Sequence, residues 1–170
     1  PYTKNTLRYW EHRWNAFHPI AYALLDRSII PYQTDKRKVD VLCTLRVNGK
    51  GQLYIVNEVR RRVMGWLQEA SVAWKDVSFQ LGPTSNGRGS SNSYVEAMST
   101  ARIIVTGDPA YYEGDHRLWE SFGSGALVIT NTMWTPIPFT PVDKKHVLYY
   151  DSHNKDAFLK LLRYYVDHKD

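Results

Sequence analysis

The segment EGDHRLWESFGSGALVIT, residues 113–130, crowds charged side chains just ahead of an apolar run. Arg117 offers a forked, permanently charged set of donors that suits a diphosphate. Glu120 follows on the same helical face, and its carboxylate is a suitable acceptor for a pair of ribose hydroxyls. Asp115 is a good N-cap for this helix, whose first N–H groups would point at an anion. A capped surface helix, with Arg117 and Glu120 as an ion pair, remains the alternative.

The elements that would position this segment are short apolar runs separated by amphipathic stretches. The pattern predicts five strands and four helices: strands over 39–45, 76–81, 102–108, 126–130 and 146–150, and helices over 57–70, 94–101, 116–122 and from about 155. Strands separated by helices, and apolar along their whole length, favour an α/β fold, a Rossmann-like parallel sheet with helices on both faces. Ligands of such sheets bind beyond the carboxyl ends of the strands, where the Arg117 helix would begin.

The chain divides into two predicted parts. Residues 1–38 do not follow the alternation and are predicted to form a helical, aromatic-rich N-terminal segment that ends in a solvated connector, DKRK at 35–38. Residues 39–170 are predicted to form the Rossmann-like domain, which is long enough for a real hydrophobic core. Because the first residue is Pro1 and not Met, the chain is interpreted as an excised piece or a processed product of a longer protein.

Composition bounds the partners and the compartment. The net charge of +5 suits an anionic partner such as a nucleotide, a phosphate, a polyanion or a membrane face. No apolar run approaches the roughly 18 residues of a membrane span, and no signal peptide opens the chain. The single cysteine, Cys43, lies in the apolar run VDVLCTL and is interpreted as an inert buried thiol. A reducing compartment, and hence a cytoplasmic location, is therefore expected.

Three consecutive arginines, RRR at 60–62, raise the possibility of nucleic-acid binding. Successive helical residues point about 100° apart, so three arginines in a row do not form one flat basic patch. A solvated helix face is the better interpretation, and nucleic acid is not the expected partner.

Several strong motifs are absent from the sequence. There is no Walker A pattern, no Gly-x-Gly-x-x-Gly, no His-Glu-x-x-His, no paired-cysteine zinc spacing and no Gly-x-Ser-x-Gly. There is also no Asp-x-Asp, which removes the usual two-carboxylate cradle for a metal-bound sugar nucleotide. The sequence therefore offers no metal site.

The stretch from Tyr94 to Phe139 resembles the C-terminal half of GT-B glycosyltransferases, most closely the CgeB-like and exostosin-like groups. Their pattern is a helix that begins with tyrosine, a strand, a loop, Arg-x-x-Glu, a small-residue turn, an apolar strand and Pro-Phe. The matching residues here are Tyr94, Arg117, Glu120, Gly123 or Gly125, ALVIT at 126–130, and Pro138-Phe139. The likeness extends more weakly over residues 39–168.

This resemblance implies transfer of a sugar from a nucleotide-sugar donor, such as a UDP- or GDP-sugar, to a glycan, glycoconjugate or other hydroxyl acceptor. No metal and no cofactor is expected. Arg117 and Glu120 are the expected catalytic residues, the first facing the diphosphate and the second binding the donor ribose. The other expected donor contacts are Arg46, Gly49 and Lys50 in the loop after the first strand, Arg88 near the base, and Asp115 and His116 at the helix start. Exposed loops, and a surface position for His116, remain the alternatives.

Two departures from the family pattern limit what carries over. Glu113 and Glu120 have six residues between them, whereas retaining GT-B enzymes often carry two glutamates with seven between. A complete GT-B enzyme also has two Rossmann-like domains, and this chain supplies one. Three alternatives follow: the chain is a fragment that lacks its N-terminal GT-B domain, it is an unusually small transferase, or it works with a partner chain. The rival hypothesis is a non-catalytic nucleotide-sugar-binding module that supports another chain.

Overall fold

A computed structural model describes residues 37–47, 58–82, 92–107, 116–132 and 140–168 of the chain. This part contains five strands and four helices, which occur in the predicted order. They are β1 (Val39–Cys43), α1 (Glu58–Ala73), β2 (Phe79–Leu81), α2 (Asn92–Thr100), β3 (Ala101–Val105), α3 (His116–Gly123), β4 (Leu127–Asn131), β5 (Leu148–Tyr150) and α4 (Lys155–Asp167).

The five strands form one sheet in the order β2-β1-β3-β4-β5, and every neighbouring pair is parallel. The strand order reverses between β1 and β3, because β2 was added on one side of β1 and β3 on the other. We call the side where all strands end the carboxyl edge and the opposite side the amino edge. The predicted Rossmann-like parallel sheet is thus confirmed, and its switch point lies between the ends of β1 and β3.

Helices cover both faces of the sheet. On one face α1 and α4 bury Leu67 and Phe158 against a cluster that includes Val41 and Ile103. On the other face α2 packs Met98 against alternate strand residues, and α3 packs Leu118 against β4. Burying one such side chain stabilises the fold by about 1.5–3 kcal/mol. Because both faces are covered, successive residues of a strand are apolar, which is why the strands were readable in the sequence.

Local sequence signals determine where α3 ends and where α4 begins. The turn after α3 passes through Gly125, whose φ of 68° favours glycine, and its N–H donates to the Phe122 carbonyl at 3.1 Å. The small-residue turn that contains Gly123 and Gly125 therefore ends the helix. Helix α4 begins after Asn154, whose side-chain oxygen accepts from the Ala157 N–H at 3.0 Å.

The amino edge is cross-linked by two arginines. Arg37 donates to the carbonyls of Ala101 and Ser124, the second at 2.9 Å. The interpretation of DKRK as a solvated connector is therefore wrong for Arg37, which is half-buried against the sheet. Arg102 pairs with Asp40 at 2.9 Å and ties β3 to β1.

Residues 1–36 lie outside the described residues, so the helical N-terminal segment and its boundary near residue 38 stay predictions. None of the helices in the described ranges is both long enough and apolar enough to span a membrane.

Candidate functional site

Buried polar side chains gather at the carboxyl edge. Of the eight buried polar or charged residues in the described part of the chain, six lie there: Thr44, Arg60, Thr106, Thr130, Asn131 and Ser152. Burying a polar group costs free energy unless it finds a partner, so a fold keeps such groups where a ligand or a network uses them. This distribution marks the carboxyl edge as the candidate site.

Thr106 occupies the switch point itself, directly after β3. The residue is 2% exposed, and both of its backbone polar groups are hydrogen-bonded. The N–H donates to the Ile129 carbonyl at 2.9 Å, and the carbonyl accepts from the Tyr150 hydroxyl at 3.0 Å. Its own hydroxyl is buried and makes no hydrogen bond with any of the described residues. Strand alternation from Ile104 puts this hydroxyl on the face covered by α2 and α3. A buried hydroxyl in that position suits a polar ligand group.

Two arginines converge on the end of β1. Burial raises the pKa of Cys43 to about 12. Three weaker effects lower this pKa: a backbone hydrogen bond from Leu45, the charge of Arg117 and the charge of Arg60. Since these charges act on a thiol at the carboxyl end of β1, both guanidinium groups lie near the switch point. The interpretation of Cys43 as an inert buried thiol is confirmed.

Arg60 corrects the interpretation of RRR as a solvated helix face. Its side chain is 8% exposed, and Nε donates to the Gly107 carbonyl at 3.0 Å in a buried hydrogen bond. It therefore fixes the first turn of α1 to the residue that follows Thr106. Arg62 is also engaged, since it donates to the Ser152 carbonyl at 2.7 Å. Helix α1 thus directs two of its three arginines at the sheet.

Glu120 is held by a residue of the neighbouring helix. The Tyr94 hydroxyl, in the first turn of α2, donates to Glu120 Oε2 at 2.7 Å. Both side chains are half-buried, and Tyr94 packs against the core cluster that contains Leu42 and Ile104. The hydrogen bond uses one carboxylate oxygen and leaves Oε1 for a ligand.

The remaining predicted site residues divide into two groups. His116 is the exposed first residue of α3, and Arg46 is half-buried three residues after β1, so both follow strand ends at the carboxyl edge. Gly49, Lys50, Arg88 and Asp115 lie outside the described residues, and so do Glu113 and Pro138-Phe139. Their roles stay predictions.

Sequence reasoning missed Arg60, Thr106 and the link from Tyr94 to Glu120. For Arg60 a signal existed: it is three residues before Val63 and seven before Leu67, which places a charge on the apolar stripe of α1. Thr106 carries no such local signal. Tyr94 matched the family pattern, but its contact with Glu120 depends on how the two helices pack and has no signal in the sequence.

The described residues contain no cluster of three or more His, Cys, Asp or Glu side chains that could hold a metal ion. Metal independence remains a prediction.

A doubly wound parallel sheet with helices on both faces is a Rossmann-like domain, and here two guanidinium groups act at the end of its first strand. Residues 37–170 match a family model described as glycosyl transferase-like, and the chain therefore belongs to that family. This confirms the predicted resemblance to a glycosyltransferase domain.

The fold is also similar to a chain in the crystal structure of the GtfA/B complex. The TM-score is 0.52 at 12% identity, and the match covers 95% of this chain and 37% of that chain. At this identity the likeness concerns the fold alone, and the chain spans little more than a third of its structural neighbour. No curated protein sequence matches this chain significantly.

Proposed function

We propose that this chain is the donor-binding domain of a metal-independent GT-B glycosyltransferase. It would bind a nucleotide sugar at the carboxyl edge and present the sugar to a glycan, glycoconjugate or other hydroxyl acceptor. The proposal is supported by the charges of Arg60 and Arg117, which act at the end of β1, and by Glu120, which Tyr94 holds on the neighbouring helix, in a chain whose family is glycosyl transferase-like. Such a site offers positive charge for a diphosphate and a carboxylate for ribose hydroxyls.

In this proposal the site residues stabilise the leaving group, which is the nucleoside diphosphate of the donor. Breaking the bond between the anomeric carbon and the diphosphate oxygen transfers negative charge to the departing nucleoside diphosphate. Arg117, Arg60 and the N-terminus of α3 would stabilise that charge more in the transition state than in the ground state. Glu120 would accept hydrogen bonds from the ribose and fix the diphosphate against the two arginines. The residues that bind the acceptor, and any general base, would belong to an N-terminal domain or a partner chain.

The test is calorimetry of the full chain with UDP-glucose, UDP-N-acetylglucosamine and GDP-mannose, followed by a donor-hydrolysis and transfer assay. Removing one contact to a developing charge typically costs about 2–4 kcal/mol in the barrier, so Arg117→Ala or Glu120→Ala should lower turnover by about 30- to 1000-fold. Circular dichroism should show an intact fold. Arg163→Ala, which removes a charge that pairs with Asp76 near the amino edge, is the matched control. Near-normal turnover by both site variants would reject the assignments.

A second candidate function is a non-catalytic module that binds a nucleotide sugar and supports another chain. It is favoured by the structural neighbour, which is part of a complex. The same assays separate the two functions: binding without turnover, both alone and with an acceptor, favours the module.

A further inference from the structure

Tyr94 joins two helices that lie on the same face of the sheet. Its hydroxyl donates to Glu120 Oε2 at 2.7 Å, and the two residues are 26 positions apart in the chain. Tyr94 lies in the first turn of α2 and Glu120 in the second turn of α3. Both helices cover the same face of the sheet, on which the unsatisfied Thr106 hydroxyl lies. The hydrogen bond therefore lies on the same face of the sheet as Thr106.

The tyrosine ring is anchored independently of Glu120. It packs against the buried cluster of Leu42, Ala97, Met98, Ala101 and Ile104. A phenol fixed in this way presents its O–H at one point, whereas a half-buried glutamate without a partner samples several rotamers. A hydrogen bond to a charged acceptor is among the stronger ones in proteins, so it suffices to select one glutamate rotamer.

We propose that Tyr94 is a positioning residue, which orients Glu120 so that Oε1 accepts from the ribose 2′-hydroxyl of the nucleotide, the hydroxyl that a deoxyribonucleotide lacks. The proposal rests on the proposed function, because it takes Glu120 to be the ribose contact. Tyr94 itself need not touch the nucleotide. Its effect is to lower the conformational cost of binding a ribonucleotide, and that saving is absent when the ribose lacks the hydroxyl that Glu120 accepts from.

The test compares ribo- and deoxyribonucleotides. Calorimetry of the full chain with UDP and dUDP, and with GDP and dGDP, gives the ribose preference as a ratio of affinities. Tyr94→Phe keeps the packed ring and removes only the hydroxyl. It should weaken binding of the preferred ribonucleotide by about three- to tenfold and leave its deoxy counterpart unchanged, so that the preference largely disappears.

Two further variants complete the test. Glu120→Gln should also remove the preference, and Tyr94→Phe added to Glu120→Gln should cause no further loss, because the two residues act as one unit. Tyr149→Phe is the matched control: this half-buried tyrosine donates to the Pro141 carbonyl at 2.9 Å, and its loss should not change the preference.

The test distinguishes failure of the positioning role from failure of the proposed function. If the wild-type chain prefers the ribonucleotide and Tyr94→Phe keeps the full preference, the positioning role is wrong while the proposed function stands. Equal weakening of UDP and dUDP by Tyr94→Phe would show a structural role only and would overturn the proposal. If the wild-type chain binds none of the four nucleotides, or binds ribo and deoxy forms equally, the assignment of Glu120 fails and the positioning role fails with it.

Discussion

Replacing Gly107 by alanine should destabilise the domain because the new methyl group meets the Tyr150 hydroxyl. A Cβ at this position would lie 3.1 Å from Tyr150 Oη, but 3.5 Å from Val59 Cγ1 and 3.7 Å from Leu45 Cδ1. Only the first distance is shorter than an ordinary van der Waals contact. The loss of stability caused by Gly107→Ala should therefore come from the contact with one oxygen atom, Tyr150 Oη.

Tyr150 has little room to withdraw. Its hydroxyl donates to the Thr106 carbonyl at 3.0 Å, and its ring stands edge-on to Phe158 with centroids 4.9 Å apart. The side chain is 4% exposed. Relief of the clash must therefore stretch this hydrogen bond or shift the loop that Arg60 holds through the Gly107 carbonyl.

These contacts fix the expected magnitudes. Overpacking of this kind costs about 1–3 kcal/mol, and we expect about 1–2 for Gly107→Ala. Tyr150→Phe should cost about 1–2 kcal/mol, because a buried carbonyl loses its donor. In the Tyr150→Phe background the methyl group meets only ordinary contacts, and alanine reduces the entropy of the unfolded chain. Gly107→Ala should there be neutral or slightly stabilising, which gives a coupling of about 1–2 kcal/mol.

Urea denaturation of the four proteins of this cycle measures the coupling, as midpoint shifts at constant m. Gly65→Ala is the matched control, because a Cβ at Gly65 meets nothing within 4 Å and the residue lies inside α1. It should raise stability by about 0.5–1 kcal/mol. An equal penalty for Gly107→Ala with and without the Tyr150 hydroxyl would refute the reasoning.

Three further predictions concern the site and the helix that follows β5. Arg60→Met should lower the free energy of unfolding by about 1–3 kcal/mol in urea denaturation, because the Gly107 carbonyl loses its buried donor. Calorimetry should also show weaker UDP binding. The control Arg163→Met should leave UDP binding unchanged. The stability gained from burying Cys43 as a neutral thiol should be present below pH 9 and lost as pH rises towards about 12, since the unfolded thiol, with a pKa of 9.0, ionises first. Cys43→Ala should remove that part of the pH dependence in urea curves recorded at pH 8 and pH 10. Asn154→Ala should lower stability by about 0.5–2 kcal/mol by removing the cap of α4, whereas Asn154→Asp should retain it in thermal melts.

The fold was readable from the sequence because its signals are local. The run that forms β3 is apolar through Ile103, Ile104 and Val105, as a strand covered on both faces requires. The helices carry their apolar residues on one stripe, and glycine ends α3 where the chain must turn. Arg37 was misread because its acceptors, the carbonyls of Ala101 and Ser124, are 64 and 87 residues away.

The candidate site was readable only in part, for the same reason. Arg117 and Glu120 lie within one helical turn, so their shared face follows from helical spacing. The partners that hold the site are distant in sequence: Tyr94 reaches Glu120 across 26 residues, and Arg60 reaches Gly107 across 47. No pattern within a single element encodes such a pairing, which depends on the strand order.

The protonation state of Cys43 determines whether the sulfur neutralises positive charge at the end of β1. Two guanidinium groups next to a thiol would normally favour the thiolate, which would neutralise part of their charge. Here burial outweighs them and raises the pKa of Cys43 to about 12, so the thiol stays neutral at physiological pH. The charges of Arg60 and Arg117 are therefore not offset by the sulfur beneath them. Under the proposed function, the full charge of both guanidinium groups would therefore act on the diphosphate of the donor.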